Sequence, residues 1–284
     1  MGKLLPRVFH QTPRCATGGA LLKGALEFEV QMVEQVHHPA FPLPANPDAP
    51  IWRYLTRSKF EWMVNEGRLF MPSAAHLGDP LEGTQPPGDS NYWESLVDHA
   101  ASEAQRRTIE HNRQLISRFA AAFRTRYYVS CWHLNDALNP AMWKLYADDS
   151  ESVAIRTTPT KLRSALSAYV DIGMVRYIDY AVDRLPTLNM LEYITHKSTL
   201  FEHEQELRAV AMHPVVEGLD QQHFRTNHFE AENKPTFRVF APPIHFAAIV
   251  DSVFVHPKAP APFFDEVHSL CEKHSLPAPM RAAW

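Results

Sequence analysis

The sequence predicts an α+β fold, with a mixed or antiparallel sheet and flanking helices. It forms one domain over residues 49–284, preceded by a proline-rich extension over residues 1–48. Three observations predict this. Strand-like runs do not alternate strictly with helical ones, as a doubly wound parallel sheet requires. No segment repeats and no tract is of low complexity. The hydrophobic fraction is 45% over 284 residues, enough for a chain this long to bury a core without disulfide or metal staples.

The elements follow in order. A short helix is expected over Ala20–Val36, then an extended proline-rich stretch to Pro50, because each proline biases its predecessor away from helix. Ile51–Leu55 is apolar and aromatic around Arg53 and reads as a strand. Ser58 can cap a helix that runs to Glu66 and stops at Gly67. Arg68–Met71 reads as a second strand, and residues 72–90 as a long loop rich in Pro, Gly and Asp. Tyr92–Arg124 carries apolar residues at helical spacing, with a break expected near Arg106–Thr108. Tyr127–Trp132 is a run of β-formers. Asn139-Pro140 opens a short helix, since proline suits the first turn. Ser152–Thr157 is a strand, Pro159–Ala168 a helix and Tyr169–Tyr177 a strand. Leu188–Phe201 reads as helix and Glu206–Met212 as a strand with side chains alternating between faces. A polar loop is expected over residues 213–235. Strands at Phe237–Phe240 and Ile249–Val255 and a helix over Phe263–His274 close the chain.

Composition narrows the function. The net charge of -4 gives no global reason to expect nucleic-acid binding. Cys15, Cys131 and Cys271 are too few and scattered for a disulfide framework, and none pairs at metal-finger spacing. The expectation is a reducing, cytoplasmic setting with no membrane partner. No apolar leader core is seen near Met1, and no run of roughly 18 apolar residues occurs. Pro6 stands where myristoylation needs Ser or Thr. The phosphate-binding loop, dinucleotide fingerprint and nucleophile elbow are all missing. His203-Glu204 begins like a zinc helix, but Leu207 stands at the second ligand position, so no metal is expected.

Four segments carry the residue types that do chemistry. Arg53, between Trp52 and Tyr54, is either paired within the fold or presented to an anion, since guanidinium matches phosphate bidentately. Asp79-Pro80-Leu81-Glu82-Gly83 is either a turn held by Asp79 or a substrate loop. Trp143 and Tyr146 stand three apart, so on a helix they share a side, either as core or as a wall for a planar ring. Lys197, Phe201, Glu204, Glu206 and Arg208 form the densest polar cluster. Glu204 and Glu206, if both extended, point to one face, where neighbouring carboxylates raise one pKa unless Lys197 and Arg208 neutralise them.

Taken in order, these segments resemble the bacterial family catalogued as domain of unknown function 2971. The residues that carry the resemblance are Trp52-Arg53-Tyr54, Leu69-Phe70-Met71-Pro72 leading to Asp79-Pro80-Leu81-Glu82, Ser130-Cys131-Trp132, Met142-Trp143-Lys144-Leu145-Tyr146-Ala147, Val175-x-Tyr177, and Lys197 with Glu204-x-Glu206-x-Arg208. They span Ile51 to His274. Gly78 departs from the family's usual Asn, and Ser152 from a common Gly. Members turn up near phage-defence and mobile-element genes. By analogy of order, the layout resembles an ADP-ribosyltransferase fold, although fold alone does not assign function.

The resemblance implies an NAD-consuming enzyme, an ADP-ribosyltransferase or NAD glycohydrolase in a bacterial defence or toxin setting, with NAD as substrate. It implies Glu206, or else Glu204, as the catalytic carboxylate. Arg53, Tyr54, Trp143, Tyr146 and Arg208 would bind NAD, and Asp79 and Glu82 would lie on a substrate loop. A protein or nucleic-acid acceptor and an antitoxin or defence partner would follow. Two alternatives stand beside it. One is a non-enzymatic nucleotide- or protein-binding module. The other is a nuclease using Asp79, Glu82, Glu204 and Glu206 with a divalent metal.

Overall fold

A computed structural model describes residues 38–147, 150–187, 189–212, 224–226 and 238–284. The chain divides into Met1–Gln35, which lies outside the described residues, and a compact unit from Val36 to Trp284. The helix expected over Ala20–Val36 also lies outside them. The loop expected over residues 213–235 is described only at Phe224–Thr226, a short strand paired with Arg238–Phe240.

The fold is mixed α+β. Its centre is a seven-stranded sheet. In chain order the strands are β1 (Ile51–Thr56), β2 (Tyr127–Leu134), β3 (Ser152–Thr157) and β4 (Val170–Met174). Next come a parallel pair outside the sheet, β5 (Arg176–Ile178) and β6 (His196–Ser198), then β7 (Glu206–Met212). The short pair Phe224–Thr226 and Arg238–Phe240 provides β8 and β9, and the sheet ends with β10 (Ser252–Val255) and β11 (Met280–Arg281). Across the sheet the order is β11-β10-β3-β1-β2-β7-β4. All neighbours are antiparallel except β10 and β11.

The period-two alternation of a strand sorts side chains between faces. Ile51 and Leu55 of β1, Tyr128 and Trp132 of β2, and Leu207, Ala209 and Ala211 of β7 enter the main core. Over that face lie helix α1 (Arg57–Glu66), through Phe60, Met63 and Val64, and the closing helix Ala261–Lys273, through Phe263, Val267 and Cys271. Each such buried side chain contributes roughly 1.5–3 kcal/mol. The opposite face is covered in two separate patches. One gathers Phe41, Ala120, Tyr127, Val129 and Val210. The other gathers Trp52, Tyr54, Met142, Trp143 and Ala154. The apolar cover is thus interrupted between the two patches, and the buried charges Glu206 and Arg208 lie on this face of β7.

Several local expectations shift. The first helix is preceded by Thr56 rather than Ser58, and it ends at Gly67, whose φ of 60° is the left-handed conformation glycine tolerates. The segment expected as a strand at Arg68–Met71 makes only isolated bridges, Arg68 to Pro243 and Met71 to Phe240. The long loop is shorter than expected, because helix α2 (Pro87–Asp98) starts at Pro87. The break before helix α3 (Glu103–Arg124) falls at residues 99–102, not Arg106–Thr108. There Ser102 Oγ accepts from Gln105 N, and the Gln105 side chain accepts from Ala101 N, a variant of the capping box. Helix over Leu188–Phe201 is replaced by a single turn at Glu192–Thr195, then β6, then a 3-10 turn at Thr199–Glu204. Tertiary pairing of Tyr177 with Lys197 in β5–β6 overrides the helical pattern there.

Within residues 38–48, part of the stretch read from its prolines as extension, Phe41 and Pro42 lie against the sheet. Phe41 is buried, and Met174 N donates to Pro42 O at 2.7 Å. A Cβ on Gly173 would stand 2.5 Å from the Phe41 backbone, so β4 admits this segment only because residue 173 is glycine.

Candidate active site

Strand β1 pairs with β3 along its whole length, but with β2 at Ile51↔Leu134 and Trp52↔His133, at one end. Further along, the two strands fork. A cavity of about 180 Å³ opens there, lined by Arg53, Tyr54, Lys59, Cys131, His133, Tyr146, Glu204 and Glu206 among others. Arg53 and Tyr54 are consecutive in a strand and point to opposite faces. A cavity touching both therefore passes through the gap between strands.

A second cavity, about 220 Å³, is lined by Asp79, Glu82, Tyr146, Lys197, Phe201, Glu204 and Glu206. Cys131, Tyr146, Glu204 and Glu206 belong to both linings, so the two spaces adjoin. Together they reach the size range of small-molecule sites, roughly 300–1,000 Å³.

The acid cluster stands on three elements. Glu206 opens β7 opposite His133, and Arg208 lies two residues on, opposite Cys131 and Gly173. Glu204 ends the 3-10 turn, and Gln205 between them holds a left-handed φ of 39°. The two glutamates are not both extended, as the sequence suggested. A non-glycine residue in this conformation costs on the order of 1 kcal/mol, and such strain tends to collect at functional sites.

Glu82, Lys197, Glu204, Glu206 and Arg208 are all buried. Lys197 Nζ lies 2.5 Å from Glu204 Oε2 and 3.7 Å from both Glu82 Oε1 and Glu206 Oε2. Arg208 grips Glu206 Oε2 through Nη2 at 2.5 Å and Nε at 2.9 Å. It also pairs with Glu82 and donates to Ile194 O.

Three carboxylates thus face two cations. Burial raises the Glu206 pKa to about 7; Lys197 opposes the rise and the Glu204 charge adds to it. With its pKa near neutrality Glu206 is about half ionised there, which moderates the surplus negative charge without removing it. Burial pulls the Arg208 guanidinium down to about 9, still above neutrality, so it keeps its charge. Burial also acts to lower the Lys197 pKa, but the Glu206 and Glu204 carboxylates more than reverse it.

The other groups frame this cluster. Tyr146 is 42% exposed. Burial of its hydroxyl end, beside Glu206 and Glu204, raises that phenol far above its usual value. The ring is therefore anchored at the acids and open to solvent. Tyr54 OH accepts from Asn139 N, and Tyr177 OH accepts from Glu206 N at 2.9 Å, fixing the start of β7. His133 Nδ1 donates to Glu204 O at 2.6 Å, the only arrangement a carbonyl partner allows. Burial lowers its pKa, so it stays a neutral imidazole. Burial and Glu206 raise the Cys131 thiol pKa, which removes thiolate character.

Of the residues singled out from sequence, Arg53, Tyr54, Tyr146, Glu204, Glu206, Asp79 and Glu82 meet at the two cavities. Arg53 Nη1 donates to Ser130 Oγ at 2.5 Å and Nη2 to Phe70 O at 2.8 Å. Trp143 is placed elsewhere. It is buried between Tyr54, His256 and Trp284, and its Nε1 donates to Ser152 Oγ. It supports Tyr54 from behind instead of facing the cavity. Arg208 likewise sits beneath the acids, outside both linings. Asp79 is first a turn residue: its Oδ1 accepts from Leu81 N, while its buried Oδ2 has no hydrogen-bond partner. Glu82 is locked against Arg208 and Lys197, so it does not ride on a mobile loop.

The sequence reading missed Lys59, Cys131, His133 and Tyr177 as site groups. Cys131 and His133 share a face with Tyr127 and Val129, so a period-two reading of β2 would have found them. Lys59 had no signal, because only the return of α1 over β1 brings it to the cavity. Among the described residues, no group of three or more His, Cys, Asp or Glu is placed to hold a metal ion, and no helix is long and apolar enough to cross a membrane. No family model matches the chain, and no curated protein or solved structure matches it either.

Proposed function

We propose that the chain is an NAD-consuming enzyme, an ADP-ribosyltransferase or NAD glycohydrolase, with Glu206 as its catalytic carboxylate. The observation that carries this reading is the forked cavity. It has a guanidinium, two tyrosines and a buried acid cluster with one negative charge in surplus.

In the reaction, the bond between nicotinamide and the ribose C1′ breaks and its electron pair leaves with nicotinamide. Positive charge develops on the sugar. A fixed negative site that is already desolvated stabilises such a transition state without reorganising, as in glycoside cleavage. Glu206 accepts a hydrogen bond from a ribose hydroxyl, and Arg208 holds it in place. Tyr146 and Tyr54 border the nicotinamide ring, and Arg53 contacts the pyrophosphate. Water or an acceptor nucleophile then adds at C1′ and loses a proton. The products are ADP-ribose or a modified protein or nucleic acid. A bacterial defence or toxin setting, with an antitoxin or other defence partner, follows from the resemblance noted in the sequence.

The test is NAD turnover by the parent and by Glu206→Gln, with water and with offered acceptors. Loss of turnover in the variant supports the reading. No turnover by the parent, or an undiminished variant, refutes it. One observation favours a second reading, a module that binds a nucleotide without turning it over: Glu204 and Glu206 are both already ion-paired. Calorimetry that shows NAD binding without turnover would establish that module.

A further inference from the structure

The first cavity is also lined by two cations. Arg53 comes from β1 and Lys59 from α1, and both line the space. Arg53 is held by neutral partners, Ser130 Oγ and Phe70 O, with its guanidinium 5.6 Å over the Trp132 ring. Among the described residues, neither has a carboxylate within ion-pair distance. Burial lowers the Lys59 pKa, and the neighbouring Arg53 charge adds to that; burial lowers Arg53 to about 10. Two half-buried like charges with no counter-ion among the described residues are costly, and the acid cluster of Glu82, Glu204 and Glu206 is not within ion-pair distance of them. The lining thus carries two cations, Arg53 and Lys59, besides the carboxylates Glu204 and Glu206.

We propose that Arg53 and Lys59 together form an anion subsite that takes the phosphate or pyrophosphate of a nucleotide ligand. This deepens the proposed function, and rests on it for the ligand's other end at Glu204 and Glu206. The sequence pointed to Arg53 alone; Lys59 is the new binding residue. Guanidinium supplies directed donors and ammonium a point charge, a pairing suited to a doubly charged phosphate group.

Calorimetry on the full chain tests this with ADP-ribose, inorganic pyrophosphate, adenosine and nicotinamide as probes. Lys59→Met is expected to weaken ADP-ribose and pyrophosphate by about tenfold or more, the scale of one charge-assisted contact. Lys59→Arg is expected to restore them, and added salt to weaken them in the parent. Adenosine and nicotinamide should not respond to Lys59. Equal ADP-ribose affinity in Lys59→Met and the parent overturns the proposal, as does failure of the parent to bind pyrophosphate or ADP-ribose. Should Lys59→Met not fold, the parent decides: pyrophosphate must displace ADP-ribose, and lack of competition overturns the subsite. The two readings fail separately. Absent NAD turnover with Lys59-dependent ADP-ribose binding sinks the enzyme and leaves the subsite. Turnover whose KM for NAD is unmoved by Lys59→Met sinks the subsite and leaves the enzyme.

Discussion

Replacing Glu206 with glutamine should stabilise this protein above neutral pH, although it removes one partner from a buried ion cluster. In the Glu206→Gln variant, Glu82 and Glu204 face Lys197 and Arg208, and the charges balance. The amide oxygen can still accept from Arg208. The magnitude follows from linkage. Glu206 moves from 4.5 to about 7 on folding, and each unit is worth about 1.4 kcal/mol, so its ionised form costs about 3 kcal/mol. A carboxyl whose pKa is higher in the folded state binds its proton more tightly there. The parent is therefore favoured below about pH 4.5 and loses that advantage as pH rises through about 7. Urea unfolding of both proteins between pH 5 and pH 8 is the assay. The stability of Glu206→Gln relative to the parent should rise by a large part of that 3 kcal/mol across the range. A difference that is flat with pH, or that grows in the parent's favour, refutes the surplus-charge account.

Arg208→Met should be severe, because it leaves three buried carboxylates to Lys197 alone; a loss of about 3–5 kcal/mol is expected, read as a lower urea midpoint. A loss under about 1 kcal/mol would mean that the acids simply protonate. Trp143→Phe deletes the bond to Ser152 and thins the packing behind Tyr54. It should cost about 2 kcal/mol of stability and leave NAD affinity within about twofold, since Trp143 lies behind the cavity; a tenfold change in affinity, about 1.4 kcal/mol, would return Trp143 to the binding wall. If the ionised carboxylate is the working form, turnover rises with pH through about 7, and a rate flat from pH 5 to pH 8 argues against Glu206 as the catalytic group.

The fold class was legible because its signals are local. β-formers at Tyr127–Trp132 and Ser152–Thr157, alternation at Glu206–Met212, and Asn139-Pro140 before α4 (Pro140–Tyr146) each act within a few residues. The failures arose where distant contacts decide. Leu188–Phe201 has a helical pattern, yet Lys197 is drawn into a strand by Tyr177 and into ion pairs by Glu204. Trp143 and Tyr146 do stand on one short helix, but one ring is buried and the other 42% exposed, because the helix ends at Tyr146 beside the acids. Spacing alone cannot say which of two neighbouring rings meets the core.

Sequence also could not distinguish a structural salt bridge from a site, and here the difference is one of count and place. A network built for stability would balance its charges, because a buried unpaired carboxylate costs far more than an exposed one. This one has three acids and two bases. Meanwhile Arg53 and Lys59, with no acid of their own among the described residues, line the same cavity as Glu204 and Glu206. Moving one cation to the acids would balance that cluster, yet Arg53 is held instead by the neutral partners Ser130 and Phe70. Leaving both imbalances in place lowers stability, which is the arrangement expected where a ligand with an anionic group and a cationic transition state completes the electrostatics.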